Sequence, residues 1–275
     1  MQVLGSGGPE VQDKRASSSY LVWLDGKARV LVDSGGGAAL RFGQSGARVS
    51  DLTAILFSHF HIDHSADFPA LIKSSFFENR RQNLLLFGPD GNDLLPSAED
   101  FVERLFNKKK GVWPYMSDYL PHSGSSEYKL VPKSVDTRSR KIQTVFSDNT
   151  LGLSAIAVHH GPLPALAWRI TVGAKSVVFS GDMSGKFNTL RLLAQHADLL
   201  IAHNAVSEGV SGIARNLHMP PSVIGAIAAQ AKVKKVVLSH RMLRTLGREH
   251  ETLSVIRQYY RGSVVFADDL SCYPL

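Results

Sequence analysis

Short apolar runs, broken by glycine, proline and acidic residues, punctuate the chain and predict strands. The first covers Gln2, Val3 and Leu4 and runs straight into the turn Gly5-Ser6-Gly7-Gly8-Pro9. Two β-rich runs follow at Ser19–Leu24 and 28–33, joined at Asp25-Gly26, a dipeptide that favours a tight hairpin. The second run ends in Asp33 before Ser34 and three glycines, so this acid sits at a strand terminus. Further strands are expected at 52–58 and 84–87, then a helix over Ala98–Phe106. From 107 to about 140 the apolar period is lost, and Trp113, Pro114, Tyr115, Tyr119, Pro121 and His122 fall among Lys, Ser and Gly. That stretch reads as a lid or insertion. Beyond it, strands at 153–158, 168–172, 176–180, 199–202, 235–238 and 263–267 alternate with helices at 189–196, 222–231 and 249–260. Strand-rich openings of two halves, each followed by helices, predict a layered α/β sandwich in place of a doubly wound nucleotide-binding sheet.

Composition narrows the class. A chain of 275 residues fits one large core, and a single domain over 1–275 is expected. With 44% hydrophobic and 20% charged residues and a mean hydropathy of −0.05, the profile is that of a soluble globular protein. Apolar runs such as 84–87 and 199–202 fall far short of the roughly 20 residues that cross a bilayer, so no membrane span is expected. No charged and then apolar leader opens the sequence, which points to the cytoplasm, or to the periplasm if a leader has been removed. The lone cysteine, Cys272, excludes an intrachain disulfide and any zinc site built from several thiolates. A bound metal would have to use carboxylates and the eleven histidines. The net charge of +7 favours anionic partners, although the basic residues are dispersed and Lys108-Lys109-Lys110 is the only dense run.

The informative feature is Ser58-His59-Phe60-His61-Ile62-Asp63-His64, directly after an apolar run. Four polar rings and carboxylates within six residues cannot all be buried without partners. A divalent cation supplies that partner, and imidazole with carboxylate suits zinc, manganese or iron. Other histidines and acids close later strands: His159 and His160 after 153–158, Asp182 in Ser180-Gly181-Asp182, and His240 after Ser239.

His59, His61, Asp63 and His64 match the His-x-His-x-Asp-His signature that follows a strand in the metallo-β-lactamase fold hydrolases, a family this sequence resembles over nearly its whole length. The resemblance implies a four-layer αββα sandwich and two divalent metal ions, zinc first, with manganese or iron as alternatives. His59, His61 and His160 would hold one metal, Asp63, His64 and His240 the other, and Asp182 would be shared. His160 is preferred to His159 because it directly precedes Gly161 and the segment leading to Trp168. Asp33 matches the acid that orients the metal loop, as ligand histidines require. The implied nucleophile is a bridging hydroxide, which Asp63 also orients.

Within the family, the resemblance is to the branch of transfer-RNA 3′-end ribonucleases, cyclic phosphodiesterases and arylsulfatases. His203-Asn204-Ala205 follows a strand where that branch has His-Glu-Ala, with Asn204 replacing the glutamate. His218 precedes the helix at 222–231 as the branch's histidine does, which implies that it protonates the leaving group or contacts a phosphate, and without the glutamate its protonated form loses support. His203 itself reads as structural. The long basic, glycine-rich arm with which those ribonucleases clasp transfer RNA is not seen. The expectation is a phosphodiesterase-like hydrolase of a small anionic substrate, with Asp63 and His218 as catalytic residues. The alternatives are a transfer-RNA-processing endoribonuclease, and a lactonase or β-lactamase-type acyl hydrolase. Nucleic acid is thus an allowed partner but not the favoured one, and a homodimer is the default assembly. Lys108–Lys110 with Trp113, Tyr115 and Tyr119 offer one place to stack an aromatic anion; a solvated loop is the equal reading.

Overall fold

Alternation along the strands dictates two sheets. In the computed structural model, which describes residues 1–122 and 124–275, one sheet has the order β1 (Gln2–Gly5), β2 (Ser19–Leu24), β3 (Lys27–Val32), β4 (Ala54–Leu56), β5 (Leu84–Pro89) and β6 (Leu130–Val135). The second holds β7 (Gln143–Ser147), β8 (Leu151–Ala157), β9 (Leu166–Val172), β10 (Lys175–Phe179), β11 (Leu199–His203), β12 (Lys235–Ser239) and β13 (Ser263–Phe266) side by side in chain order. Ala54 and Leu56 of β4, and Leu199 and Ile201 of β11, face the space between the sheets, together with Leu153, Trp168, Val177 and Phe179. The intervening residues Ile55, Leu200 and Ala202 turn outward to helices, as a two-residue period requires.

The helices cover the outer faces. Helices α1 (Ala38–Gln44), α2 (Ile62–Ser65), α3 (Phe68–Ser74) and α4 (Ala98–Phe106) occur in the first half. Phe42, Phe68, Ile72, Val102 and Phe106 from α1, α3 and α4 pack on the first sheet. Helices α5 (Thr189–Leu193), α6 (Gly212–Leu217), α7 (Pro221–Gln230) and α8 (Glu249–Ile256) occur in the second half. Leu190, Leu193, Ile224, Ile227 and Ile256 from α5, α7 and α8 pack on the second sheet. Three apolar layers between helix, sheet, sheet and helix make the αββα sandwich. Among the described residues no helix is long and apolar enough to cross a membrane.

Three differences from the sequence reading have local causes. The stretch 107–140 is in part sheet: β6 pairs in parallel with β5, and Met116, Tyr119, Leu120 and Tyr128 are buried against α3 and α4. Ser123, within that stretch, lies outside the described residues. Strand β7 had no apolar signature because it is an edge strand with no buried residue. Helix α8 stops at Ile256, short of 260, where Tyr260 turns in and its hydroxyl donates to the Val233 carbonyl, 2.9 Å away.

The topology gathers chain ends. Strands β3, β4 and β5 are parallel, as are β10, β11 and β12, and β8 runs parallel to β10 because both are antiparallel to β9. Their carboxyl ends therefore deliver Asp33, His59, His160, Asp182, His203 and His240 to one edge of the sandwich.

Candidate metal centre

The loop after β4 splits its side chains between two environments. Phe57 and Phe60 insert into the helix-side layer, where the Phe60 ring stacks on Phe101 at 4.3 Å between centroids. His59, Asp63 and His64 are buried on the other side, and His61 is partly exposed. The backbone turns into α2 at His61, whose carbonyl accepts from His64 N at 3.0 Å and Ser65 Oγ at 2.9 Å. Gly35 permits this packing: a Cβ there would lie 2.1 Å from the Asp63 carbonyl oxygen.

Asp33 anchors the loop from the end of β3. Its Oδ1 accepts from Ser58 N at 2.7 Å, and its Oδ2 accepts from Ser58 Oγ and His64 Nδ1, each at 2.8 Å. The carboxylate thereby fixes the Nδ1–H tautomer of His64 and turns Nε2 inward, 3.5 Å from Asp63 Oδ2 and 3.7 Å from Asp182 Oδ2. Burial alone would lower the pKa of His64, but Asp63, Asp33 and Asp182 outweigh it and raise it well above the ordinary value. His59, with no such acid in contact, is held well below by burial and by the neighbouring His64 and His160.

The second half completes the cluster. His160 Nδ1 donates to the Leu217 carbonyl at 3.0 Å, leaving Nε2 to face Asp182 Oδ2 at 3.9 Å. His159 turns away, its Nδ1 2.7 Å from Ser184 Oγ and its ring against Phe187. Asp182 follows Gly181, which has a φ of +56° and would place a Cβ 2.8 Å from Ser58 Cβ. Close approach of the two loops thus requires glycine there. His240 Nε2 lies 3.2 Å from Asp63 Oδ2 and 3.3 Å from Asp182 Oδ1. Burial works against the charge on Asp63 and Asp182, yet the surrounding histidines, His64 and His240 foremost for Asp63 and His240 and His218 for Asp182, hold both well below the usual carboxylate range.

His203 has a role that its sequence position did not reveal. Its Nδ1 donates to Asp182 Oδ1 at 2.8 Å, and its Nε2 is 3.0 Å from the Tyr20 hydroxyl, which is also 3.0 Å from Ser239 Oγ. All four groups are buried. Both ring nitrogens are engaged, so His203 orients Asp182. The motif His203-Asn204-Ala205 at a strand end was the clue in the sequence, and the register adds to it, since His203 pairs with Ser239, the residue before His240. His218 enters from the end of α6 with Nδ1 3.8 Å from Asp182 Oδ2, and burial lowers it to about 4. Asn204 is fully buried, and its Oδ1 lacks a hydrogen-bond partner. Trp113 and Tyr119 pack into the first layer, leaving Tyr115 as the exposed aromatic of that group.

Two groups of donors result. The ligand atoms of His59, His61, His160 and Asp182 lie within 4.8 Å of one another, as do those of His64, Asp182, His203 and His240. Nε2 of His59, His64 and His160 is buried without a hydrogen-bond partner, a costly state for three converging imidazoles. Divalent cations would satisfy all three, and the nitrogen and oxygen donor set suits zinc, manganese or iron.

Known proteins share this arrangement of chain. The profile of the metallo-beta-lactamase superfamily matches residues 13–240. Ribonuclease Z of Picrophilus torridus is 28% identical, in an alignment covering 86% of this chain and 84% of that protein. Among solved structures, the metallo-beta-lactamase fold protein YhfI from Bacillus subtilis superposes with a TM-score of 0.75 at 21% identity, covering 98% of this chain and 96% of that one. The short form of human tRNase Z gives 0.74 at 19% identity, covering 98% of each chain.

Proposed function

The chain belongs to the metallo-beta-lactamase superfamily and is a metal-dependent hydrolase, and on that premise we propose that it cleaves a phosphodiester of a small anionic substrate at a two-metal centre. The observation that carries this reading is the pair of donor groups sharing Asp182. His59, His61 and His160 would hold one ion, Asp63, His64 and His240 the other, with Asp182 common to both. Two bound cations would supply a water acidified toward neutral pH and Lewis-acid polarisation of the ester.

The chain's own groups supply the rest. Asp63, kept ionised by His64 and His240, can accept a hydrogen bond from the attacking water. His218 faces the same space with a free Nδ1 and, in its neutral form, can donate to an oxygen of the phosphoryl group or the leaving group. Asn204 offers no charge that would hold His218 protonated, so it acts as a hydrogen-bond donor and not as a strong acid. Asp33 and Tyr20–His203 hold His64 and Asp182 in place.

The likeness to ribonuclease Z favours a second reading, cleavage of transfer-RNA precursors. Against it, the sequence holds no long glycine-rich and basic run of the kind a clasping arm requires. A panel of bis-p-nitrophenyl phosphate, a p-nitrophenyl sulfate, a lactone, nitrocefin and a transfer-RNA precursor, each with zinc or manganese, separates the readings. Turnover of the phosphodiester and its loss in His61→Ala are expected. Activity confined to another substrate, no turnover with any metal, or an active His61→Ala variant would overturn the proposal.

A further inference from the structure

Beside the metal centre lies a cavity of about 480 Å³ that none of the expected metal ligands lines. Its walls are nonetheless built from the chain that carries them. One wall is 158–165, the segment of His160; another is Phe187, in the turn after Asp182; a third comes from Asp90, Asn92, Thr137 and Arg138, beyond the ends of β5 and β6. The His160 segment is therefore shared between the two: His160 turns to the donor cluster, and His159, Gly161 and Pro162 turn to the cavity.

The cavity is held open by bonds that tie its walls together. Ser184 N donates to the His159 carbonyl at 2.7 Å while His159 Nδ1 meets Ser184 Oγ at 2.7 Å, locking two of the loops. Asn92 Nδ2 donates to the Pro162 carbonyl at 2.8 Å, and Asp90 Oδ1 accepts from Thr137 N at 3.2 Å and Thr137 Oγ1 at 2.5 Å. Preformed walls lower the ordering cost of binding.

Its chemistry is aromatic and cationic. Phe187 meets the His159 ring at 5.0 Å and carries the Arg140 guanidinium at 3.8 Å from its centroid, while Arg140 itself does not line the cavity. Arg138, with its side chain 89% exposed, stands at the rim, its Nε 3.4 Å from Asp136 Oδ1 and 3.9 Å from Asp90 Oδ2. Pro162 and Pro164 add flat apolar surface. The one acid in the wall, Asp90, is already engaged by Thr137. A volume within the usual range for ligand sites and flat aromatic and proline walls suit a planar ring.

We propose that this cavity takes a planar aromatic substituent of the ester, an aryl group or a nucleobase, packed against Phe187 with Arg138 at its entrance. The proposal rests on the phosphodiesterase reading, and its test is arranged so that the two can fail separately. Methyl p-nitrophenyl phosphate and phenyl p-nitrophenyl phosphate share a leaving group and differ only in the second substituent; thymidine p-nitrophenyl phosphate replaces the phenyl with a nucleoside. A KM roughly tenfold lower for the phenyl than for the methyl ester is expected, the scale of one aromatic stack. Phe187→Ala should erase that preference without changing kcat on the methyl ester, and Phe187→Tyr should retain it. A further fall in KM for the thymidine ester would assign the cavity to a nucleobase, and no further fall to an aryl group. Equal KM for methyl and phenyl esters, or a preference that survives Phe187→Ala, would overturn the proposal. If no ester turns over, calorimetric binding of phenyl phosphate still decides: binding that Phe187→Ala abolishes supports the cavity while the phosphodiesterase reading fails, and absence of binding overturns both.

Discussion

At the scale of residues, the centre depends on side chains that touch no substrate. Tyr20 and His203 act through Asp182, and Asp33 acts through His64. Groups that fix a ligand's orientation contribute roughly 10- to 100-fold to metal affinity. Tyr20→Phe keeps the ring and removes only the hydroxyl near His203 Nε2, so metal affinity should fall by about tenfold in competition with a chromophoric chelator while the fold persists. Unchanged affinity would mean that the Tyr20–His203 contact is mere packing. The neutral His218 makes a different prediction. In His218→Ala, hydrolysis of an alkyl ester, whose leaving oxygen carries the most charge and gains most from the hydrogen bond that neutral His218 donates, should fall by roughly a hundredfold. Hydrolysis of a p-nitrophenyl ester, whose leaving group is stable as an anion, should fall far less. An equal loss on both would place His218 in binding rather than at the leaving group.

At the scale of elements, most strands were legible because they are buried on both faces or alternate cleanly, and helices α4, α5, α7 and α8 because each carries apolar residues toward its sheet, whereas the short helices α1, α2, α3 and α6 were not expected, being too brief to show a helical period. The signature from His59 to His64 was legible because all its donors come from one short loop. What escaped has a common cause: edge strands and contacts between distant segments leave little local pattern. Strand β7 has no fully buried residue, β6 lies among polar residues, and His203 acquires its role only when β2, β11 and β12 bring Tyr20, His203 and Ser239 together. Tyr128 shows how firmly the polar stretch before β6 is packed. Its hydroxyl is 2.5 Å from Ser75 Oγ, and burial pushes its pKa from the ordinary value up to about 12. Tyr20 is also raised by burial. A phenol whose folded pKa is raised contributes stability in full below about pH 10, and that contribution is lost as pH rises toward 12. In an alkaline titration, part of the tyrosinate absorbance should therefore appear only as the circular dichroism signal of the fold is lost. Ionisation of all seven tyrosines in one step near pH 10, with the fold intact, would contradict this packing.

At the scale of the whole molecule, two half-sandwiches each contribute one part of a metal centre. The first sheet delivers the loop of His59 to His64 and the second delivers His160, Asp182 and His240. Trp168 links them: its Nε1 donates to the Phe57 carbonyl at 3.0 Å across the inter-sheet layer, just before the metal loop begins. The net charge of +7 favours approach of an anionic ester, and on the two-metal reading the bound ions and their ligands would decide the chemistry. The most direct test is therefore a titration of chelator-stripped protein with zinc or manganese while hydrolysis of bis-p-nitrophenyl phosphate is followed. The two-metal reading predicts no turnover without metal, a rate that rises to a plateau at two equivalents per chain, and no recovery in His61→Ala. Turnover that is independent of added metal, or a plateau at a single equivalent, would contradict it.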